Sequence, residues 1–201
     1  AAAIGGGGGE IFATAVRDKI GLGKCTAEAW LTVMHVAHQL GMNTSATMMF
    51  GHIEGIADRI DHIARVRDAQ DRAIRNRWLG RYVSFISWPF QRENTPLGRL
   101  PEWDRDDGEP FPGEEPNHPD YGKCLRMAGA TEYLRTQAIS RMVLDNIHSI
   151  GSSWVTMGPK IGQLGMAPRP DSLEGRTVYL VDCRFDDGDI AVSQDANGLV
   201  L

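Results

Sequence analysis

The sequence lacks long apolar runs and has no excess of basic charge. No apolar segment of the 201-residue chain approaches the roughly 20 residues that a membrane-spanning helix needs. The first residues also lack the charged-then-apolar order of a secretion signal, so we expect a cytoplasmic protein with no membrane contact. The formal net charge is -5, and arginines alternate with acidic residues, so we do not expect nucleic acid as a partner.

Metal-binding patterns are missing as well. The three cysteines, Cys25, Cys124 and Cys183, are far apart and form no CxxC pair, which favours ordinary reduced thiols. The six histidines are also dispersed. His35 and His38 share one predicted helix without a carboxylate pattern, which favours half-exposed helix residues over ligands. The sequence therefore predicts no metal site.

Strand and helix patterns alternate along most of the chain. Apolar runs predict strands at residues 1–4, 44–50, 82–88 and 150–156. Amphipathic patterns predict helices at residues 27–40, 56–75, 130–146 and 160–166. Such alternation implies an α/β fold in which crossovers join parallel strands. Ligands of such folds bind at the carboxyl ends of the strands, and here polar residues follow each predicted strand.

A run of five glycines follows the first predicted strand, at residues 5–9. Glycines at a strand-to-helix turn let backbone amides approach a ligand, and the next helix N-terminus favours an anion. A flexible linker or a cloning scar is the alternative. The amphipathic segment at residues 10–18, which predicts a helix directly after the glycines, favours the ligand-binding turn.

Residues 97–129 form a long insertion rich in proline, glycine and acidic residues. The segment is too polar for a core and too long for an ordinary connection. It is either a cover for an active site or a disordered excursion, and its composition favours the second interpretation.

Six motifs follow one another in a recognisable order. They read GGGGGEI at residues 5–11, TMMFGHIE at 47–54, QRENT at 91–95, EYLRT at 132–136, MVLDNI at 142–147 and SWVTMGPKIGQ at 153–163. Together they resemble the later half of the radical S-adenosylmethionine (SAM) enzymes of the futalosine route to menaquinone. The SWVTxGPK segment is most similar to cyclic dehypoxanthine futalosine synthase. Aminofutalosine synthase and the two subunits that make the deazaflavin chromophore are the other relatives.

This resemblance implies a TIM-type (β/α) barrel, with S-adenosyl-L-methionine and a 4Fe-4S cluster as cofactors. It also implies dehypoxanthine futalosine as the small-molecule substrate and a flavodoxin or ferredoxin as electron donor. For the cyclising enzyme, the resemblance implies that a 5'-deoxyadenosyl radical takes hydrogen from the substrate ribose and that the sugar radical closes onto the aromatic ring. Rearomatisation then releases a proton and an electron.

Two departures from the family pattern shape the expected architecture. The family holds its cluster with a CxxxCxxC motif, which this sequence lacks, and the sequence after residue 166 is unrelated to the family's later loops. We therefore predict the C-terminal portion of a radical SAM barrel at residues 1–166, incomplete and inactive alone. Residues 167–201 are predicted to be a divergent tail with one strand at 177–182. A non-catalytic half-barrel scaffold is the alternative.

The resemblance assigns cofactor binding to Gly7, Gly8, Gly9 and Glu10. Glu10 would contact the amino or ribose groups of SAM, or it would be a carboxylate in the first turn of a helix. The family resemblance favours the first role for Glu10.

His52 and Glu54 are the candidate catalytic residues. Both lie at the rim of the expected barrel, where either side chain could accept the proton that rearomatisation releases. A purely structural role is equally compatible with the sequence.

The remaining candidates would bind substrate. Glu93 and Asn94 would orient its hydroxyl groups, or Asn94 is a turn residue before Pro96. Lys160, at the start of a predicted helix, is poorly placed for the helix dipole and so would serve a substrate carboxylate.

Ser153, Trp154 and Thr156 complete the predicted substrate site. They lie in the predicted strand 150–156, where alternation would place Ser153 on one face and the other two on the opposite face. Trp154 is either a substrate contact or a core residue.

Overall fold

The computed structural model describes residues 3–21, 23–103 and 109–166, in which four strands form one open parallel sheet. The strands are β1 (Ala3–Ile4), β2 (Asn43–Phe50), β3 (Tyr82–Pro89) and β4 (Ser149–Gly151). They lie in the order β1-β2-β3-β4, and all three pairings are parallel. The predicted α/β fold with parallel strands is confirmed. A closed TIM-type barrel requires more strands than these.

Six α-helices connect and flank the strands in the part of the chain that the structure describes. They are α1 (Thr14–Ile20), α2 (Ala27–Gln39), α3 (Ile56–Arg75), α4 (Ala130–Val143), α5 (Trp154–Met157) and α6 (Pro159–Met166). The N-terminus of α2 is capped, because the Thr26 side chain accepts a hydrogen bond from the Ala29 amide at 3.2 Å. Among the described residues, no helix combines the length and apolarity needed to span a membrane.

The sheet has one covered face and one open face. Phe50 and Phe85 are fully buried and contact α4 and α3, through Tyr133 and His62 respectively. Because side chains alternate along a strand, Met49, Ile86 and Trp88 point to the opposite face, and all three are only half-buried. That open face would line the lumen of a completed barrel.

The predicted strand at 150–156 is wrong beyond Gly151. The ladder with β3 stops at Gly151, and α5 begins at Trp154. Contacts from α4 intervene, since the Ser153 amide donates to the Tyr133 hydroxyl at 2.6 Å and Gln137 donates to the Gly151 carbonyl at 2.7 Å. The strand alternation predicted for Ser153, Trp154 and Thr156 therefore does not exist.

The prediction that the insertion is disordered is also wrong for those of its residues that the structure describes. Phe111 and Leu125 are buried in the core, and Leu125 forms a parallel bridge with Glu102. The Arg126 amide donates to the His52 carbonyl at 2.7 Å, which ties the end of the insertion to the loop after β2.

Two smaller corrections concern helices. α1 begins at Thr14 and has no acidic residue in its first turn, so Glu10 is not a first-turn carboxylate. His38 is fully buried and its Nε2 lies 2.7 Å from the Thr44 hydroxyl, which contradicts a half-exposed position. The predicted strand at 177–182 lies outside the described residues, and the boundary after residue 166 stays a prediction.

Candidate active site

Four loops carry the predicted site residues to one edge of the sheet. They follow β1 at residues 5–10, β2 at 51–54, β3 at 90–95 and β4 at 152–160. Neighbouring loops contact each other, because the Met49 amide donates to the Glu10 carbonyl at 3.2 Å and the Phe90 amide donates to the Phe50 carbonyl at 2.7 Å. Parallel pairing thus gathers segments far apart in sequence at the carboxyl edge, where α/β proteins bind ligands.

The glycine turn after β1 lies against β2. A Cβ atom at Gly6 would lie 2.1 Å from the Ser45 carbonyl oxygen, and one at Gly9 would lie 2.4 Å from the Thr47 carbonyl oxygen. Both positions therefore require glycine for close approach. A Cβ atom at Gly7 would meet nothing within 4 Å. Gly6 and Gly9 consequently lie in close contact with β2, whereas Gly7, between them, borders open space.

Buried side chains hold the carbonyl groups of this turn. Arg17, only 5% exposed, donates to the Gly8 carbonyl at 2.9 Å and to the Gly9 carbonyl at 2.8 Å. Trp30 donates from its indole nitrogen to the Gly7 carbonyl at 3.2 Å. The backbone N–H groups of these three glycines have no acceptor among the described residues. Sequence reasoning missed both Arg17 and Trp30.

Glu10 ends the turn in a left-handed backbone conformation, with φ of 46°. Its side chain is 11% exposed and forms an ion pair with Lys24, whose side chain is 41% exposed. The carboxylate therefore lies at the edge of the open space beside the glycines, with one partly exposed cation already next to it.

The loop after β2 buries its polar side chains completely. His52 is 0% exposed and Glu54 is 1% exposed. The Glu54 carboxylate accepts from the Gly51 amide at 2.6 Å and the Arg59 Nε at 2.6 Å, and it lies 2.9 Å from the His52 Nδ1. Burial alone would raise the pKa of Glu54, but the His52 ring and the Arg59 guanidinium outweigh it and lower the pKa to about 2.

This buried group continues into α4. Arg59 donates from Nη1 to a Glu132 carboxylate oxygen at 2.7 Å. The network therefore joins three elements: the loop after β2, helix α3 and helix α4. It holds the chain in place where that loop follows β2.

The loop after β3 presents its predicted residues to solvent. Glu93 and Asn94 are exposed, and Asn94 has a φ of 58°, as a turn residue would. Arg92 holds the loop by donating to the Gly98 carbonyl at 3.0 Å and the Leu100 carbonyl at 3.2 Å. A surface depression lies along this loop.

The loop after β4 contains α5 and the start of α6. Ser153 and Thr156 place their hydroxyl oxygens 2.7 Å apart. The half-buried Trp154 has an indole N–H with no partner among the described residues. Lys160 is exposed in the first turn of α6, as predicted.

The described residues do not fit a 4Fe-4S cluster. Cys25 is exposed, Cys124 is half-buried and lies in the insertion, and no group of three or more metal-ligand side chains occurs in the described ranges. The glycine turn does fit the amino-acid portion of SAM. It combines unpaired N–H donors, which suit a carboxylate, with the Glu10 carboxylate, which suits an ammonium group.

Comparisons with known proteins agree with this architecture. Residues 122–171 match the family described as the CofH/MqnC C-terminal region. The chain is 36% identical over 164 residues to the aminodeoxyfutalosine synthase of Thermus thermophilus, covering 82% of this chain and 37% of that protein. It is 35% identical over 161 residues to the cyclic dehypoxanthine futalosine synthase of Halalkalibacterium halodurans, covering 80% of this chain and 35% of that protein.

A third relative is named for a different activity. The 5-amino-6-(D-ribitylamino)uracil--L-tyrosine 4-hydroxyphenyl transferase of Methanosphaerula palustris is 34% identical over 172 residues, covering 85% of this chain and 39% of that protein. The chain thus spans little more than a third of the length of these relatives. The resemblance to enzymes of the futalosine route is confirmed by the family match and the first two relatives.

Proposed function

We propose that this chain forms the SAM-binding and substrate-binding part of a radical SAM enzyme that cyclises dehypoxanthine futalosine. The observation that carries the proposal is the open glycine turn at the carboxyl edge of the sheet. It occurs in a chain whose relatives include cyclic dehypoxanthine futalosine synthases of two organisms.

In this proposal Gly7, Gly8 and Gly9 donate their N–H groups to the SAM carboxylate, and Glu10 accepts from its ammonium group. SAM, once bound and reductively cleaved, supplies the radical that takes hydrogen from the substrate ribose. Arg17 and Trp30 orient the turn by holding its carbonyl groups away from the ligand. In the complete enzyme a 4Fe-4S cluster, held by residues other than those described, would be reduced by a separate flavodoxin or ferredoxin.

His52 and Glu54 remain the proposed proton acceptors. Their place at the carboxyl edge supports this role. Their burial requires the loop after β2 to open before a proton can reach them, whereas a structural role requires no opening. A His52→Asn variant that keeps the melting temperature but slows product formation would support proton transfer.

The substrate would bind across the third and fourth loops. Glu93 and Asn94 are exposed for its hydroxyl groups, and Lys160 is exposed for a carboxylate. Ser153, Trp154 and Thr156 would add hydroxyl groups and one indole N–H, which has no partner in the described structure. We also propose that the protein works in the cytoplasm.

Aminodeoxyfutalosine synthase is the second candidate, because a relative of that name is 36% identical to this chain. The coding sequence upstream of Ala1 provides the first test, since a CxxxCxxC motif in frame is expected for either enzyme. The extended protein, reconstituted without oxygen, should then convert dehypoxanthine futalosine into its cyclic product. Failure of a motif-bearing protein to convert dehypoxanthine futalosine would favour the second candidate, and absence of the motif would favour the non-catalytic scaffold.

A further inference from the structure

The loop after β4 contains little structure that would be stable by itself. We call residues 152–160 the substrate loop, since they include the substrate-binding residues proposed for α5 and the start of α6. Helix α5 has only four residues, and helices this short do not persist in water without tertiary contacts. Its N-cap, Ser153, forms no side-chain capping bond. The conformation of the substrate loop must therefore be imposed by other parts of the protein.

Tyr133 of α4 contacts the substrate loop where α5 begins. It is completely buried, and its ring stacks on Phe50 of β2 with the ring centroids 6.4 Å apart. Its hydroxyl oxygen accepts from the Ser153 amide at 2.6 Å and from Gln137 Nε2 at 2.7 Å. Gln137 also donates to the carbonyl of Gly151, the last residue of β4, at 2.7 Å. Two side chains of α4 thus hold the chain where β4 ends and the substrate loop begins.

The hydrogen of the Tyr133 hydroxyl is directed towards Ser152. Both bonds described above use the hydroxyl oxygen as the acceptor, and Ser152 Oγ lies 3.1 Å from it. Ser152 Oγ donates its own hydrogen to the Gly162 carbonyl at 2.9 Å, so it accepts from Tyr133. The chain of hydrogen bonds therefore runs from the Ser153 amide through Tyr133 and Ser152 to helix α6.

Two glycines allow α6 to lie close to these groups. A Cβ atom at Gly162 would lie 2.4 Å from the Trp154 Cβ, and one at Gly165 would lie 2.9 Å from the Ser152 Oγ. A larger residue at either position would push α6 away. Since Lys160 lies in the first turn of α6, its position depends on the same contacts.

We propose that Tyr133 is a positioning residue for the substrate, an inference that rests on the function proposed above. Its hydroxyl holds the substrate loop from the buried side. The hydroxyl groups of Ser153 and Thr156 and the ammonium group of Lys160 are thereby preorganised before the substrate arrives. Removal of the Tyr133 hydroxyl should weaken substrate binding and leave SAM binding, at the loop after β1, unchanged.

The variant Tyr133→Phe keeps the ring in the core and removes only the hydroxyl. In the extended, cluster-bearing protein, KM for dehypoxanthine futalosine should rise about two- to tenfold, the worth of a neutral hydrogen bond, with SAM affinity unchanged. A purely structural role would instead reduce the folded fraction, which lowers the apparent kcat and leaves KM unchanged. Tyr82→Phe is the matched control, since Tyr82 is 1% exposed and its hydroxyl has no partner in the described ranges.

A second pair of variants tests the next bond of the chain. Ser152→Ala removes the acceptor of the Tyr133 hydroxyl and should raise KM in the same direction. Ser140→Ala should leave KM unchanged, because Ser140 is buried and donates to the Thr136 carbonyl within α4 at 2.8 Å. Hydrogen exchange provides a readout without activity: in the 201-residue chain, the Ser153 amide should exchange faster in Tyr133→Phe than in Tyr82→Phe.

The outcomes distinguish this inference from the proposed function. If the unsubstituted protein cyclises dehypoxanthine futalosine but Tyr133→Phe has an unchanged KM, the inference alone is overturned. An equal rise of KM in Tyr82→Phe, or unchanged exchange of the Ser153 amide in Tyr133→Phe, would overturn it as well. If the unsubstituted protein forms no cyclic product, the proposed function fails, and the inference fails with it.

Discussion

The loops after β1 and β2 occupy neighbouring positions at the same edge of the sheet, yet they use their polar groups in opposite ways. In the loop after β2, the carboxylate of Glu54 is bonded on every side by the protein itself. In the loop after β1, side chains bind the carbonyl groups of Gly7 to Gly9, and the N–H groups of these three glycines have no acceptor among the described residues. We infer that the contacts of the first loop stabilise the fold, in addition to the proton transfer proposed for His52 and Glu54, and that the second loop binds a ligand.

The largest expected effect that tests this contrast is the substitution Glu54→Gln. Removal of the buried charge takes from Arg59 one of its two carboxylate partners and from His52 the carboxylate that faces it, which should reduce the free energy of unfolding by about 3–5 kcal/mol. Urea unfolding measures this change. Glu115→Gln, at an exposed position, is the control and should have almost no effect. A small loss for Glu54→Gln would remove the distinction between the two loops.

Acid should destabilise the fold through its buried histidines. Burial lowers the pKa of His38 to about 4 and that of His62 to about 3, from an ordinary value of 6.5. Only the unfolded chain then binds protons at these residues as the pH falls below 6.5, so stability is present at neutral pH and lost in acid. Each histidine contributes a slope of up to about 1.4 kcal/mol per pH unit.

Unfolding measured between pH 6.5 and 5 checks this slope. His62→Leu should make the slope shallower, because the leucine fills a fully buried site next to Phe12 without titrating. His148→Gln, at an exposed position, should leave the slope unchanged. Below pH 4.5 the loss should steepen, because protonation of Glu54, whose pKa is lowered to about 2, begins in the unfolded chain.

Two alanine substitutions sharpen the contrast within the glycine turn. Gly9→Ala should destabilise the chain by about 1–3 kcal/mol, because the added Cβ would lie 2.4 Å from the Thr47 carbonyl oxygen. Gly7→Ala should leave thermal unfolding unchanged, because nothing lies within 4 Å. Equal melting temperatures for the two variants would show that the turn does not lie against β2 as described.

The smallest expected effects concern the SAM affinity of the extended, cluster-bearing protein, measured by calorimetry. Glu10→Ala should weaken binding about tenfold, the worth of one charge-assisted hydrogen bond. Lys24→Gln should instead strengthen binding a few-fold, because it removes the cation that competes for the same carboxylate. Unchanged affinity in Glu10→Ala would exclude Glu10 from the site.

The sequence predicted the elements whose periodicity is strong and local. The bounds of α3 match the prediction, and β2 and β3 differ from it by one residue at one end. The fourth strand failed because an apolar run specifies no secondary structure by itself, and the contacts that end it come from Tyr133 and Gln137 of α4. Such long-range contacts are not visible in a local pattern.

The insertion and the glycine turn likewise depend on contacts that a local sequence pattern does not reveal. A few apolar residues, among them Phe111 and Leu125, suffice to fold a segment whose average composition is polar. The role of Arg17 could not be predicted from the sequence, since its partners are backbone carbonyl groups, which every residue has. The rim positions of His52 and Glu54 were predictable from the strand pattern, whereas their burial was not.

The spatial order of the strands has a consequence for synthesis on the ribosome. Each strand pairs with the one that precedes it in the chain, so a nascent sheet can grow at one edge without waiting for later sequence. The addition of β4 differs from the earlier steps, because the insertion and α4 must first emerge. We therefore expect β1, β2 and β3 to assemble on the ribosome before β4 is added, with the free edge of β3 as the surface that a chaperone must protect.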